Sequence, residues 1–141
     1  MFYIIIAMVL YTVALLLAAL AARHTDSNLA TAITNLISTI LPVIVVVPYL
    51  NKKMIADGKL GIIYALIGGI AIALFTMALT KSFALNKVAI VSPIVFGGSI
   101  FLSAIISLFL FKEKISMYQG IGLAFLGVGI LFILYARMTG K

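Results

Sequence analysis

Apolar residues fall into five blocks along this chain, separated by the polar breaks RHTDSN, NKKMIADGK, KSFALNK and KEKIS. Each block holds about 20 residues, and a helix rising about 1.5 Å per residue then spans the roughly 30 Å hydrocarbon core of a bilayer. The pattern predicts five membrane-spanning helices, near Phe2 to Ala22, Ala30 to Leu50, Leu60 to Phe83, Val88 to Phe111 and Ser116 to Arg137. No break exceeds about ten residues, so consecutive spans are expected as antiparallel neighbours in one all-α transmembrane domain over residues 1–141, with no room for a soluble domain.

Local signals agree with these borders. Asn28 and Asn86 are candidate N-caps, Gly58 and Lys59 mark the start of the third span, and Ser116 with Gln119 forms a Ser-x-x-Gln capping box opening the fifth. The first block ends in AALAAR, as a secretory signal can. It lacks a basic n-region and its apolar segment is too long, so it is read as a span.

Composition sharpens the membrane assignment. Of 141 residues, 65% are hydrophobic and 9% charged, and the mean hydropathy of +1.34 lies far above that of soluble domains. The net charge of +7 comes from basic residues placed singly or in pairs at span ends. That distribution fits lipid head groups better than a phosphate backbone, so no nucleic-acid partner is expected. The acids Asp26, Asp57 and Glu113 also lie in breaks, which leaves every predicted span interior uncharged. With no cysteine and a single histidine, His24, in a break, no metal site or cofactor is expected. No nucleophile, base and acid are grouped along the chain, so it is not expected to be an enzyme.

Orientation follows from where Lys and Arg fall. One side carries Lys52, Lys53, Lys59, Lys112 and Lys114; the other carries Arg23, Lys81, Lys87, Arg137 and Lys141. This even division gives no instruction to insert one way, which predicts dual orientation and pairing as an antiparallel homodimer. A single loop's charges deciding the matter is the competing reading.

Polar residues inside the spans form stripes. Ser92, Ser99, Ser103 and Ser107 share one helical face of the fourth span; Thr31, Asn35, Ser38 and Pro42 do so in the second; Tyr64, Gly68, Thr76 and Thr80 mark the third; and Tyr3, Tyr11 and Thr12 mark the first. Small hydroxyl residues can serve close helix packing or line a pathway, and for the serines both readings stand. An amide facing lipid is costly and one facing a wet cavity is not, so Asn35 is read as pathway-lining. The pathway candidates are Tyr11, Asn35, Ser38, Tyr64, Thr76, Ser99 and Ser103. In the fourth span Pro93 with Gly97 and Gly98 predicts a bendable element. In the fifth, Gly120, Gly122, Ala124, Gly127 and Gly129 predict a close-packing seam, most simply against another copy.

From Phe75 to Leu134 the run FTMALTKSFALNKVAIVSPIVFGGSIFLSAIISLFLFKEKISMYQGIGLAFLGVGILFIL resembles the second part of the EamA-type unit of the drug/metabolite transporter superfamily. Phe75 before Met77-Ala78, Val88, Ser92-Pro93, Glu113, Ile115-Ser116, Gln119, Gly122 and Gly127 carry the likeness, and SNLATAIT (Ser27 to Thr34) resembles the opening of the second helix in short members. Typical members hold two inverted five-helix units, so the resemblance implies a ten-helix transporter assembled from two copies in a prokaryotic plasma membrane. It further implies movement of small metabolites, amino acids or drugs by alternating access. The chain departs from the pattern at Lys112, where a glycine is common, at Thr34, where short members carry an arginine, and at Val95 and Phe96, near a usual Asp-Lys pair. The related small multidrug resistance family uses a membrane-embedded glutamate in its first span, which has no acid here. Transport without a proton-coupling carboxylate is therefore the expectation. The alternatives are a flippase for a lipid-linked head group, using Lys81 and Lys87, and a non-transporting subunit packed against a larger partner.

Overall fold

The computed structural model describes residues 2–51, 55, 58–112 and 114–139. Among them every regular element is helical, and five helices are long and apolar enough to cross a membrane: Phe2–His24, Ser27–Tyr49, Lys59–Leu85, Val88–Leu110 and Met117–Met138. This is the architecture of a multi-pass membrane protein. The predicted spans are met to within about three residues. Lys52, Lys53, Asp57, Glu113 and Lys141, which entered the reading of the breaks and of the charge balance, lie outside the described residues. The chain divides into two compact units, Met1–Leu85 and Asn86–Lys141.

The first unit consists of α1 (Phe2–His24), α2 (Ser27–Val46, continued by a 3-10 turn at Val47–Tyr49) and α3 (Lys59–Leu85), each packed on the other two. Its first turn is set by Asp26, whose Oδ1 accepts the N–H groups of Asn28 at 2.9 Å and Leu29 at 3.1 Å. Asp26, and not Asn28, is the N-cap of α2. A carboxylate there also meets the positive end of the helix dipole, which an asparagine would do only weakly. His24 is the last residue of α1, not part of a loop.

Burial in this unit is confined to one end of its helices. Ala19 and Ala22 near the end of α1, Ala30 and Thr31 near the start of α2, and Thr80 and Phe83 near the end of α3 are buried. Alanine and threonine at these levels keep the backbones close, and the threonine hydroxyls are absorbed by their own helices: Thr31 Oγ1 donates to Ser27 O and Thr80 Oγ1 to Thr76 O, both at 2.8 Å. At the other end residues 2–14, 36–51 and 59–67 are all exposed. Pro42 inside α2 has no N–H for the carbonyl of Ser38, and Pro48 lies in the 3-10 turn that ends the span.

The second unit consists of α4 (Val88–Ser92), a π-helical turn (Pro93–Gly97), α5 (Gly98–Leu110) and α6 (Met117–Met138), with α6 packed on all three preceding segments. The fourth span is thus one path through the membrane built from two α-helices and a π turn. Asn86 does not cap α4; that position belongs to Lys87, with no side-chain capping bond. Asn86 Oδ1 instead accepts a hydrogen bond from Arg137 Nη2 at 2.8 Å, tying the start of the fourth span to the end of α6. At the opposite end the capping box is present in both halves: Gln119 N donates to Ser116 Oγ, and Ser116 N donates to Gln119 Oε1 at 2.9 Å. Between α5 and this cap, Lys112 adopts φ 53°, a left-handed conformation that glycine takes without penalty.

Candidate functional site

In the first unit the second and third spans are joined by a polar bond. Asn35 Nδ2 donates to Thr76 Oγ1 at 3.0 Å, while the Thr76 hydroxyl donates to its own helix at Ile72 O and Ala73 O. The threonine oxygen therefore faces Asn35 with its lone pairs, and both half-buried side chains are satisfied within apolar surroundings. Asn35 lies about 12 Å along α2 from its start and Thr76 about 14 Å from the end of α3, at 1.5 Å per residue. With α2 and α3 antiparallel, these depths match, which is why two side chains 41 residues apart meet.

The backbone around Asn35 is unusually rich in acceptor traffic. Ser38 Oγ donates to Asn35 O at 3.0 Å and Thr39 Oγ1 to the same oxygen at 2.8 Å. Four residues on, Pro42 removes the partner of the Ser38 carbonyl, so the stretch from Asn35 to Pro42 carries more polar backbone than a regular span. Thr39 has the same role here as Ser38, and a polar side chain four residues after Asn35 was the available signal for it.

Of the predicted pathway residues in this unit, Asn35 and Thr76 are brought together and Ser38 joins them through the Asn35 carbonyl. Tyr11 stands half-exposed on α1, and Tyr64, at 69% exposure, lies about 18 Å along α3 from Thr76. The spacing of Tyr64 and Thr76 put them on one helix without putting them at one depth.

Ser99 and Ser103 belong to the second unit. Each hydroxyl turns back on its own helix, Ser99 Oγ to Phe96 O at 2.9 Å and Ser103 Oγ to Ile100 O at 3.0 Å, and Ser107 does the same to Ala104 O. Ser92 differs: its Oγ is enclosed and has no hydrogen-bond partner. It precedes Pro93 at the border of the π turn, where the regular helix ladder is broken. The bendable residues Pro93, Gly97 and Gly98 lie in or directly after that turn, and π turns within helices are often functional.

The two glycines of the pair have different surroundings. A Cβ on Gly97 would fall 3.0 Å from Ile130 Cδ1 of α6, whereas one on Gly98 would meet nothing within 4 Å. In α6, a Cβ on Gly127 would sit at ordinary van der Waals distance from Phe101, one on Gly120 would only graze Ile115, and Gly122 and Gly129 look into open space; Ala124 is exposed. Within the second unit, then, Gly127 alone of the predicted seam lies against α5.

Comparisons with protein-family models, with curated proteins and with solved structures found no match.

Proposed function

We propose that the chain is a transporter of small neutral or zwitterionic solutes, resembling one EamA-type unit, and that an antiparallel second copy completes a ten-helix assembly in a prokaryotic plasma membrane. The observation that carries this reading is the Asn35–Thr76 pair: an amide and a hydroxyl held at matching depth between two apolar spans. Such a pair supplies both donors and acceptors to a solute without the desolvation cost of a buried ion. The solute's ammonium or hydroxyl groups would exchange for the bond that Asn35 and Thr76 make to each other, so binding loosens the α2–α3 contact and transport follows by alternating access.

Two further features support it. The fourth span carries a π turn at Pro93–Gly97, and such turns within helices are frequent at functional sites. Gly129 faces open space on α6, leaving room for the close approach of a second chain. The three acids of the sequence all lie between spans, which favours facilitated diffusion or exchange over proton coupling.

Counterflow of labelled neutral and zwitterionic amino acids into proteoliposomes tests the proposal. Flux above empty vesicles, unchanged by an imposed pH gradient, is expected; flux that strictly requires the gradient would sink the uncoupled mechanism. Silence across the whole panel, with movement of a labelled lipid-linked sugar instead, would favour the flippase reading. Dual orientation is tested separately by fusing the C-terminus to a reporter active only inside the cell and to one active only outside. Comparable signals are expected, and a one-sided result removes the antiparallel homodimer.

A further inference from the structure

The second unit contains a groove of about 560 Å³ between α5 and α6 that the transport reading does not use. Its walls are apolar, formed by Ile100 and Ala104 on α5 and Leu123 and Leu126 on α6, and its polar residues Ser107, Gln119 and Lys114 gather toward the α5–α6 turn. Gly122 forms part of the wall, and a Cβ there would meet nothing within 4 Å, so the missing side chain widens the groove.

Depth identifies the occupant. Ile100 lies ten residues before the end of α5 and Leu126 nine residues after the start of α6, so the groove reaches about 14 to 15 Å from the turn. One leaflet of a bilayer has a hydrocarbon depth of about 15 Å, half of the roughly 30 Å core. An acyl chain entering from the leaflet on that side would therefore run the length of the groove with its head group at the turn.

Charge at the turn sets the head group. Lys114 is the cationic member of the groove, and Lys112 with Lys114 outnumbers the single acid of that break in the sequence. Gln119 Oε1 is occupied by the Ser116 N–H, which leaves its amide hydrogens as donors, and the first turn of α6 adds its positive dipole end. All three favour an anionic oxygen, and basic pockets between transmembrane helices are suited to anionic lipid head groups. We infer that this groove is a binding site for one anionic phospholipid, its phosphate beside Lys114 and one acyl chain between α5 and α6. The lipid is a resident ligand, distinct from the transported solute.

The test uses the full chain in dodecyl maltoside micelles doped with dioleoylphosphatidylglycerol or dioleoylphosphatidylcholine, with retained lipid counted by native mass spectrometry. The wild type is expected to hold one phosphatidylglycerol about tenfold more tightly than phosphatidylcholine. Lys114→Gln should bring that preference close to parity and Lys114→Arg should keep it. Gly122→Leu, whose Cβ would meet nothing within 4 Å and whose side chain would occupy the groove, should remove the retained lipid. Gly61→Leu, an equally large change into open space in the first unit, should leave it, which separates blockage from misfolding. Millimolar inorganic phosphate should not displace the lipid. Equal retention of the two lipids by the wild type, retention unchanged in Gly122→Leu, or displacement by phosphate alone would each overturn the inference.

Discussion

The α2–α3 pair and the α6 contact with the fourth span solve the same problem by different chemistry. Within a bilayer the hydrophobic effect does not drive helices together, because lipid tails are as apolar as leucine. The first unit answers with a side-chain hydrogen bond between Asn35 and Thr76 and with alanine and threonine at one end of its helices. The second relies on shape within the span, where Gly97 leaves room for Ile130, and keeps its polar tie, Arg137 to Asn86, at the span's end. A polar contact can be exchanged for a ligand, whereas a packed glycine can only open or close. Under the proposed function, solute recognition falls to the first unit and bending to the second.

Filling the glycine contact should have the largest effect. Gly97→Leu forces a side chain into the space held by Ile130 and is expected to cost about 1–3 kcal/mol, the usual range for overpacking. Gly98→Leu, one residue along and facing open space, should cost nothing measurable. Unfolding in mixed micelles reads both, and equal losses would remove the distinction between the two glycines.

The turn that ends the fourth span gives two smaller tests. Ser116→Ala removes the hydroxyl that caps α6 and should cost about 1 kcal/mol. Lys112→Gly relieves a left-handed lysine and should raise stability by up to about 1 kcal/mol, less whatever the freer unfolded chain takes back. Destabilisation by Lys112→Gly would mean that the lysine side chain contributes more than its backbone costs.

The polar tie should be the weakest of these in stability. A double-mutant cycle of Asn35→Leu and Thr76→Val is expected to give a coupling near 0.6 kcal/mol, the average for interhelical hydrogen bonds in membranes. A coupling of several kcal/mol would make the pair a structural clamp and remove its suitability for exchange with a solute.

The five spans were legible because about 20 apolar residues between polar breaks admit few other structures. The Ser116–Gln119 box was legible for a related reason: its bonds are local in sequence. Caps chosen by residue type alone were less secure. Asn28 and Asp26 are both good caps, and the carboxylate prevailed by reaching two N–H groups; Asn86 was drawn to Arg137, 51 residues away. The polarity of Asn35 was plain in the sequence, but its partner was not, since matching Thr76 to it requires the antiparallel register of α2 and α3. The difference between Gly97 and Gly98 is invisible without α6, and the groove at Gly122 likewise needs two helices to exist. The φ of 53° at Lys112 was not legible either, because lysine gives no sign of the left-handed conformation that glycine takes without penalty.

Solute flux through Asn35 tests the account most directly. In proteoliposomes matched for protein content and helicity, wild-type counterflow is expected to fall at least tenfold in Asn35→Leu and to survive in part in Asn35→Gln, which keeps an amide. Undiminished flux in Asn35→Leu would contradict the assignment of the Asn35–Thr76 pair to the pathway.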